Sequence, residues 1–72
     1  MAKNYKNYNI NDVVRIIQTH GDDLHRTGKI VEVRCSFCKI HLFDADGNLA
    51  IIPNSKNKPD IRNHTYGQFE KI

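Results

Sequence analysis

The chain has 72 residues, a formal net charge of +3 and a mean hydropathy of −0.61, values typical of one small soluble domain. Such a domain buries only about 60% of the surface of its unfolded chain, so we expect a thin margin of stability. Its apolar runs fall far short of the roughly 20 residues of a membrane span. Its start lacks the apolar core of a signal peptide, so we expect a cytoplasmic protein with no membrane contact.

The first eleven residues carry four Asn, two Lys and two Tyr with a single aliphatic residue. A segment this polar does not build a core. We therefore expect residues 1–11 to form an N-terminal arm and residues 12–72 a single domain. Positive and aromatic side chains interleave in the arm, as they do in proteins that bind single strands. These side chains are Lys3, Tyr5, Lys6 and Tyr8.

Nearly every aliphatic residue lies between residues 12 and 52. Residues 12–18 and 38–43 alternate with period two, which predicts strands with one buried face. The side chains expected to face the core are Val14, Ile16, Cys38, Ile40 and Leu42, and those expected to face outwards are Val13, Arg15, Ile17, Lys39, His41 and Phe43. Between these runs, residues 27–33 form a third β-rich run that breaks strict alternation after Ile30, which indicates a β-bulge.

The stretch Asp44-Ala45-Asp46-Gly47 is a turn signal. Gly tolerates positive φ, and Asp bonds its own backbone two residues on. Leu49 and Ile51 then repeat the alternation, which predicts a hairpin over residues 37–52. Residues 12–52 are therefore expected to form four antiparallel strands.

Residues 53–67 are polar and contain both prolines, which predicts a loop and excludes a long helix. Residues 68–72 alternate polar and apolar side chains, which predicts a short fifth strand. Strands this short bury an apolar face by curling on one another. The expected fold is all-β, a small five-stranded barrel.

An Asp-x-Val-x-Ile opening is followed by a loop, then by Gly-Lys-Ile-x-x-Val and a third strand. This pattern resembles the KOW motif of small SH3-like barrels in ribosomal and transcription-elongation proteins. The matching residues are Asp12, Val14, Ile16, Gly28, Lys29, Ile30 and Val33. The match covers about half of the chain, and Asn11 stands where these modules usually have Gly.

The continuation over residues 47–53, closed by residues 69–72, is similar to small uncharacterised SH3-like proteins carried by phages and plasmids. The resemblance implies an SH3-like barrel that serves as a binding module. It implies no catalytic residue.

Positive side chains bracket the second and third predicted strands, whereas most acids gather at residues 22–23 and 44–46. Such clustering points to a polyanion-binding face. Aromatic and imidazole groups in the same outward register can stack on bases. The candidate nucleic-acid or anion-binding residues are Arg26, Lys29, Arg34, Phe37, Lys39 and His41.

Metal binding is an open alternative, because Cys35 and Cys38 have the spacing of half a zinc site and His20 and His25 offer a second pair. One Cys pair is a weak signal, and Cys38 shares a face with core residues. We expect no metal and no other cofactor. The sequence contains no nucleophile elbow, phosphate-cradling Gly loop or metalloprotease motif, so we expect no enzyme.

The preferred hypothesis is a small non-catalytic binding module of phage or mobile-element type, directed at nucleic acid or a nucleoprotein complex. The alternative is a phage-type inhibitor that binds a host or defence protein, or that sequesters a small anionic nucleotide. Self-association also stays open, because small barrels bury leftover apolar side chains such as Val13, Ile17 and Ile52 between subunits.

Overall fold

Five antiparallel strands form one sheet in the computed structural model, which describes residues 7–72. They are β1 (Val13–Ile16), β2 (Thr27–Val33), β3 (Phe37–Leu42), β4 (Ile61–Thr65) and β5 (Phe69–Lys71). Their order across the sheet is β4-β3-β2-β1-β5. The predicted all-β fold with five antiparallel strands is confirmed. It is barrel-like, but the sheet is not closed, since β4 and β5 remain its two edges.

The core lies on the predicted face of β1 and β3. Each of the five side chains expected to point inwards is 0% exposed: Val14, Ile16, Cys38, Ile40 and Leu42. On the opposite face, Val13 is 43% exposed. Alternating apolar side chains thus set the orientation of both strands, as their period of two requires.

The predicted bulge lies in β2. Ile30 pairs with Ile40, whereas Glu32 pairs with the adjacent Lys39. Val31 is therefore the extra residue. The bulge lets β2 bury Ile30 and still place Glu32 on the outward side next to Lys39.

The prediction of four strands within residues 12–52 is wrong, because this range holds only β1, β2 and β3. The turn after β3 forms as expected, with Gly47 at φ 84° and the Asp44 carboxylate accepting from the Asp46 N–H. The chain then makes only isolated bridges, one of them between Phe43 and Leu49.

After this turn, the alternating Leu49 and Ile51 face the surface and the residue between them faces the core. Ala50 is 6% exposed, whereas Leu49 and Ile51 are 39% and 51% exposed. The Ala50 N–H donates to the Leu42 carbonyl, and the Asp60 N–H donates to the Ala50 carbonyl. The small Ala50 thus fits against the end of β3, and the large aliphatic side chains on either side of it point to the surface.

The fourth strand, β4, lies inside the stretch that was predicted to be a polar loop. It pairs with β3 from Phe37↔Thr65 to His41↔Ile61. Its inward residues are Arg62 and His64, and His64 is buried. Apolar alternation cannot reveal a strand whose inward side chains are charged or polar.

Three aromatic rings form one side of the core: Tyr8, Tyr66 and Phe69. The Tyr8 centroid lies 5.5 Å from that of Tyr66 and 5.0 Å from that of Phe69. Tyr8 is 5% exposed although it belongs to the segment expected to form an arm. The other arm residues named above, Lys3, Tyr5 and Lys6, lie outside the described residues.

Asn11 has a φ of 77°, in the left-handed region. Glycine adopts this region freely, and Asn enters it more readily than most other residues. The backbone at this position therefore suits Asn or Gly better than other residues. None of residues 7–72 lies in a helix long and apolar enough to cross a membrane.

Candidate nucleic-acid interface

Four of the six candidate residues project from one face of the sheet. On β3, the half-buried Phe37, Lys39 and His41 alternate with buried core residues. On β2, Lys29 pairs directly with His41. We call the surface formed by Lys29, Phe37, Lys39 and His41 the outer face.

The outer face continues onto the flanking strands. The register places Val13 beside Lys29, and Ile61 beside His41, so a row of four side chains crosses the sheet. On β1, Arg15 shares the outward side with Val13. Sequence reasoning placed Arg15 on the outward face but did not include it among the candidate residues.

The two lysines of the outer face are electrostatically available. Neither Lys29 nor Lys39 forms an ion pair with another residue among those that the structure describes. Glu32 faces Lys39 across the strands, but its carboxylate binds the Arg34 guanidinium instead. The ammonium groups can therefore meet an external anion without first breaking an internal ion pair.

The structure does not bring Arg26 and Arg34 into this arrangement. Arg26 donates from Nη2 to the Phe43 carbonyl at 3.0 Å, and its Nη1 lies 3.8 Å from an Asp60 carboxylate oxygen. Arg34 follows β2 in the turn to β3 and pairs with Glu32. Both guanidinium groups thus hold local structure together.

His41 is fixed by the segment that follows the turn. Its Nε2 donates to the Ala50 carbonyl at 2.9 Å. The imidazole therefore has a defined orientation.

A groove of about 200 Å³ opens where β3 meets the edge strand β4. It is lined by Phe37, Asn63, His64, Thr65 and Gln68. Of these residues the sequence singled out only Phe37, because β4 was expected to be part of a loop. The groove combines an aromatic ring with amide and hydroxyl groups, and Lys39 lies next to it opposite Asn63.

The acids at residues 22–23 are not a free acidic patch. The Asp22 carboxylate lies 2.9 Å from Nη1 of Arg62, which lowers the pKa of Asp22. Asp23 is 2% exposed and pairs with His64. These two carboxylates bind side chains of β4. They therefore contribute less negative charge to the surface than the sequence suggested.

The cysteines and histidines of the zinc alternative do not assemble. Cys38 is buried and donates its S–H to the Tyr66 hydroxyl at 3.4 Å, and Tyr66 in turn donates to the Arg34 carbonyl at 2.5 Å. Cys35 is exposed. Over residues 7–72, no three His, Cys, Asp or Glu side chains converge as metal ligands would.

Comparisons with protein-family models, curated proteins and solved structures find no match to this chain.

Proposed function

We propose that this protein is a non-catalytic module that binds single-stranded nucleic acid through the outer face. The observation that carries the proposal is the pairing of two available ammonium groups, on Lys29 and Lys39, with the half-exposed ring of Phe37 on the same side of the sheet. Single-strand binders combine a basic track for phosphates with aromatic rings for bases.

The KOW-like, SH3-like identity belongs to the same proposal. Two backbone features support it. Asn11 adopts a left-handed conformation at a position where the motif has Gly. At Gly28, an added Cβ would lie 2.7 Å from the His41 carbonyl oxygen, so the glycine of the motif is required by close strand packing.

The number of cations sets the expected salt dependence. Lys29, Lys39 and Arg15 offer three phosphate contacts on the outward side. Each phosphate neutralised on a single strand contributes about −0.7 to the slope of log K against log salt. Three contacts predict a loss of affinity of roughly 20-fold between about 50 and about 200 mM salt.

The test is a titration of labelled oligonucleotides with the double variant Lys29→Glu, Lys39→Glu. A matched control is Lys56→Glu, Lys58→Glu, which makes the same charge change on exposed residues of the loop before β4. We expect the first variant to lose at least tenfold in affinity and the control to stay close to the wild type. Equal thermal midpoints verify that both variants fold.

Two results contradict the proposal. An absence of binding by the wild type at about 50 mM salt eliminates it, because phosphate contacts are strongest at low salt. Equal losses in both double variants show that net charge alone attracts the oligonucleotide and that the outer face is not the site.

Protein recognition is the second candidate, and a different surface favours it. Leu49, Ile51 and Ile52 are 39%, 51% and 40% exposed and lie close together in sequence. Leu49 and Ile51 line a groove of about 350 Å³ beside Arg26. Adjacent exposed aliphatic side chains next to a groove are typical of interaction sites.

Site-specific photo-crosslinking tests this candidate in the cells that produce the protein. A crosslinker at Ile51 is compared with one at Lys56, which is exposed on the following loop. A protein adduct formed only from position 51 supports recognition through this surface. Identical adduct patterns from both positions rule it out.

A further inference from the structure

Four different functional groups lie in or next to the groove between Phe37 and β4. Thr65 pairs directly with Phe37, and Asn63 pairs directly with Lys39. Side chains in directly paired positions have Cβ atoms about 4.5–5.5 Å apart. An aromatic ring, a hydroxyl, a carboxamide and an ammonium group therefore occupy neighbouring positions on two strands.

The polar groups of the groove differ in their availability. Gln68 Oε1 accepts from the Thr65 N–H at 2.9 Å and lies 3.3 Å from His64 Nδ1. His64 is also held by Asp23 through its other ring nitrogen. Asn63 is exposed, and its side chain makes no hydrogen bond to any residue within 7–72. The groove thus has a fixed polar wall and one carboxamide free to bind.

The size and composition of the groove restrict which ligands can bind in it. Its volume of about 200 Å³ lies below the roughly 300–1,000 Å³ of sites that enclose drug-sized molecules. A carboxamide offers a donor and an acceptor side by side. A planar ring with donors and acceptors on its edge matches both the Phe37 ring and the Asn63 amide.

We propose that the groove holds one unstacked nucleobase of the bound strand. The base stacks on Phe37, its edge forms hydrogen bonds with the Asn63 carboxamide, and an adjacent phosphate lies at Lys39. This inference rests on the proposed function and adds to stacking on Phe37 a specific pocket in which Asn63 binds the edge of the base.

The experiment compares two probes that carry the same number of phosphates, a short oligothymidylate and an abasic oligomer. Stacking on an aromatic side chain contributes enough for us to expect at least about tenfold tighter binding of the oligothymidylate. Phe37→Leu keeps apolar volume but removes the ring, and should reduce the oligothymidylate to the affinity of the abasic oligomer. Phe37→Tyr keeps the ring and should retain the difference.

A second variant tests the pocket even if Phe37→Leu does not fold. Asn63→Ala changes an exposed side chain and leaves the ring in place. We expect it to weaken binding of oligothymidylate and to leave the abasic oligomer unaffected. In the wild-type protein, binding of oligothymidylate should also shift the NMR signals of the Asn63 side-chain amide, because a stacked base lies next to it.

The possible failures are distinguishable. Equal, salt-sensitive affinity of the wild type for the two probes overturns the base pocket and leaves the phosphate-binding function standing. Unchanged selectivity in both Phe37→Leu and Asn63→Ala overturns the assignment to this groove. A wild-type protein that binds neither probe at about 50 mM salt refutes the proposed function itself, and the pocket with it.

Discussion

His64 and Asp23, which are 41 residues apart in sequence, form a buried pair with 2.5 Å between Nε2 and Oδ2. Both ring nitrogens of His64 lie near side-chain oxygens, Nε2 near Asp23 Oδ2 and Nδ1 at 3.3 Å from Gln68 Oε1. The pair fastens the loop between β1 and β2, residues 17–26, to the edge strand β4.

Asp23→Asn should destabilise the protein. Asn keeps an oxygen that can accept from His64 Nε2, but its NH2 group would be buried beside the ring without a partner, which costs about 1–3 kcal/mol. The control is Asp46→Asn, the same change at an exposed position, where surface substitutions stay within about 0.5 kcal/mol. Urea denaturation monitored by circular dichroism gives both values. Similar midpoints for the two variants would mean that the pair does not hold the loop.

Leu42→Ala should unfold the domain or nearly so. Leu42 is 0% exposed, and truncation of a buried Leu costs about 2–5 kcal/mol. Leu49→Ala is the matched control, because Leu49 is 39% exposed and loses fewer contacts. Thermal unfolding should show a large decrease only for the first variant. A midpoint within a few degrees of the wild type for Leu42→Ala would contradict the inward face of β3.

Gly28→Ala should be far more damaging than Gly67→Ala. A Cβ at position 28 would lie 2.7 Å from both the His41 carbonyl oxygen and Ile40 Cγ2, whereas one at position 67 meets nothing within 4 Å. Overpacking a rigid strand costs about 1–3 kcal/mol. The two midpoints in urea measure the difference directly, and equal midpoints would refute the close approach of β2 and β3.

The two thiols should differ sharply in reactivity. Cys35 is exposed, whereas burial raises the pKa of the Cys38 thiol and removes it from solvent. The thiolate is the reactive form, so Cys38 should react much more slowly. A chromogenic disulfide reagent should reveal one fast and one slow thiol, and Cys35→Ser should abolish the fast phase. Two fast thiols in the wild type would show that Cys38 is accessible.

The ion pair between Asp22 and Arg62 should make the free energy of unfolding depend on pH. The Arg62 guanidinium lowers the pKa of Asp22 in the folded protein. The pair therefore stabilises the fold above the unfolded-state pKa, and its contribution is lost as the pH falls through the lower folded-state value. In an NMR titration, Arg62→Met should raise the pKa of Asp22, whereas Lys58→Met should not. An unchanged value in Arg62→Met would contradict the pair.

Sequence patterns predicted the parts of the fold in which apolar side chains repeat every second residue. This holds for the inward residues of β1 and β3, for the bulge after Ile30 and for the turn that ends at Gly47. The last strand also followed from its alternation. In these segments local pattern and tertiary burial agree, so the pattern is informative.

The remaining elements depend on partners distant in sequence. Nothing near Arg62 and His64 in the sequence shows that they will pair with Asp22 and Asp23, so β4 had no strand signal. Tyr8 is a single aromatic residue in a polar segment, without a periodic neighbour to mark it as core. For the same reason, the groove between β3 and β4 could not be predicted, and only its Phe37 side was visible in the sequence.

The pairing of β1 with β5 places both ends of the sheet-forming chain at one corner. The Ile72 N–H donates to the Val13 carbonyl, and Lys71 Nζ lies 3.3 Å from an Asp12 carboxylate oxygen. The two strands run antiparallel from this corner, with Ile16 opposite Phe69 at the far end. Tension applied between residues 12 and 72 therefore loads the backbone hydrogen bonds one after another, so the sheet opens like a zipper and offers little mechanical resistance along this axis.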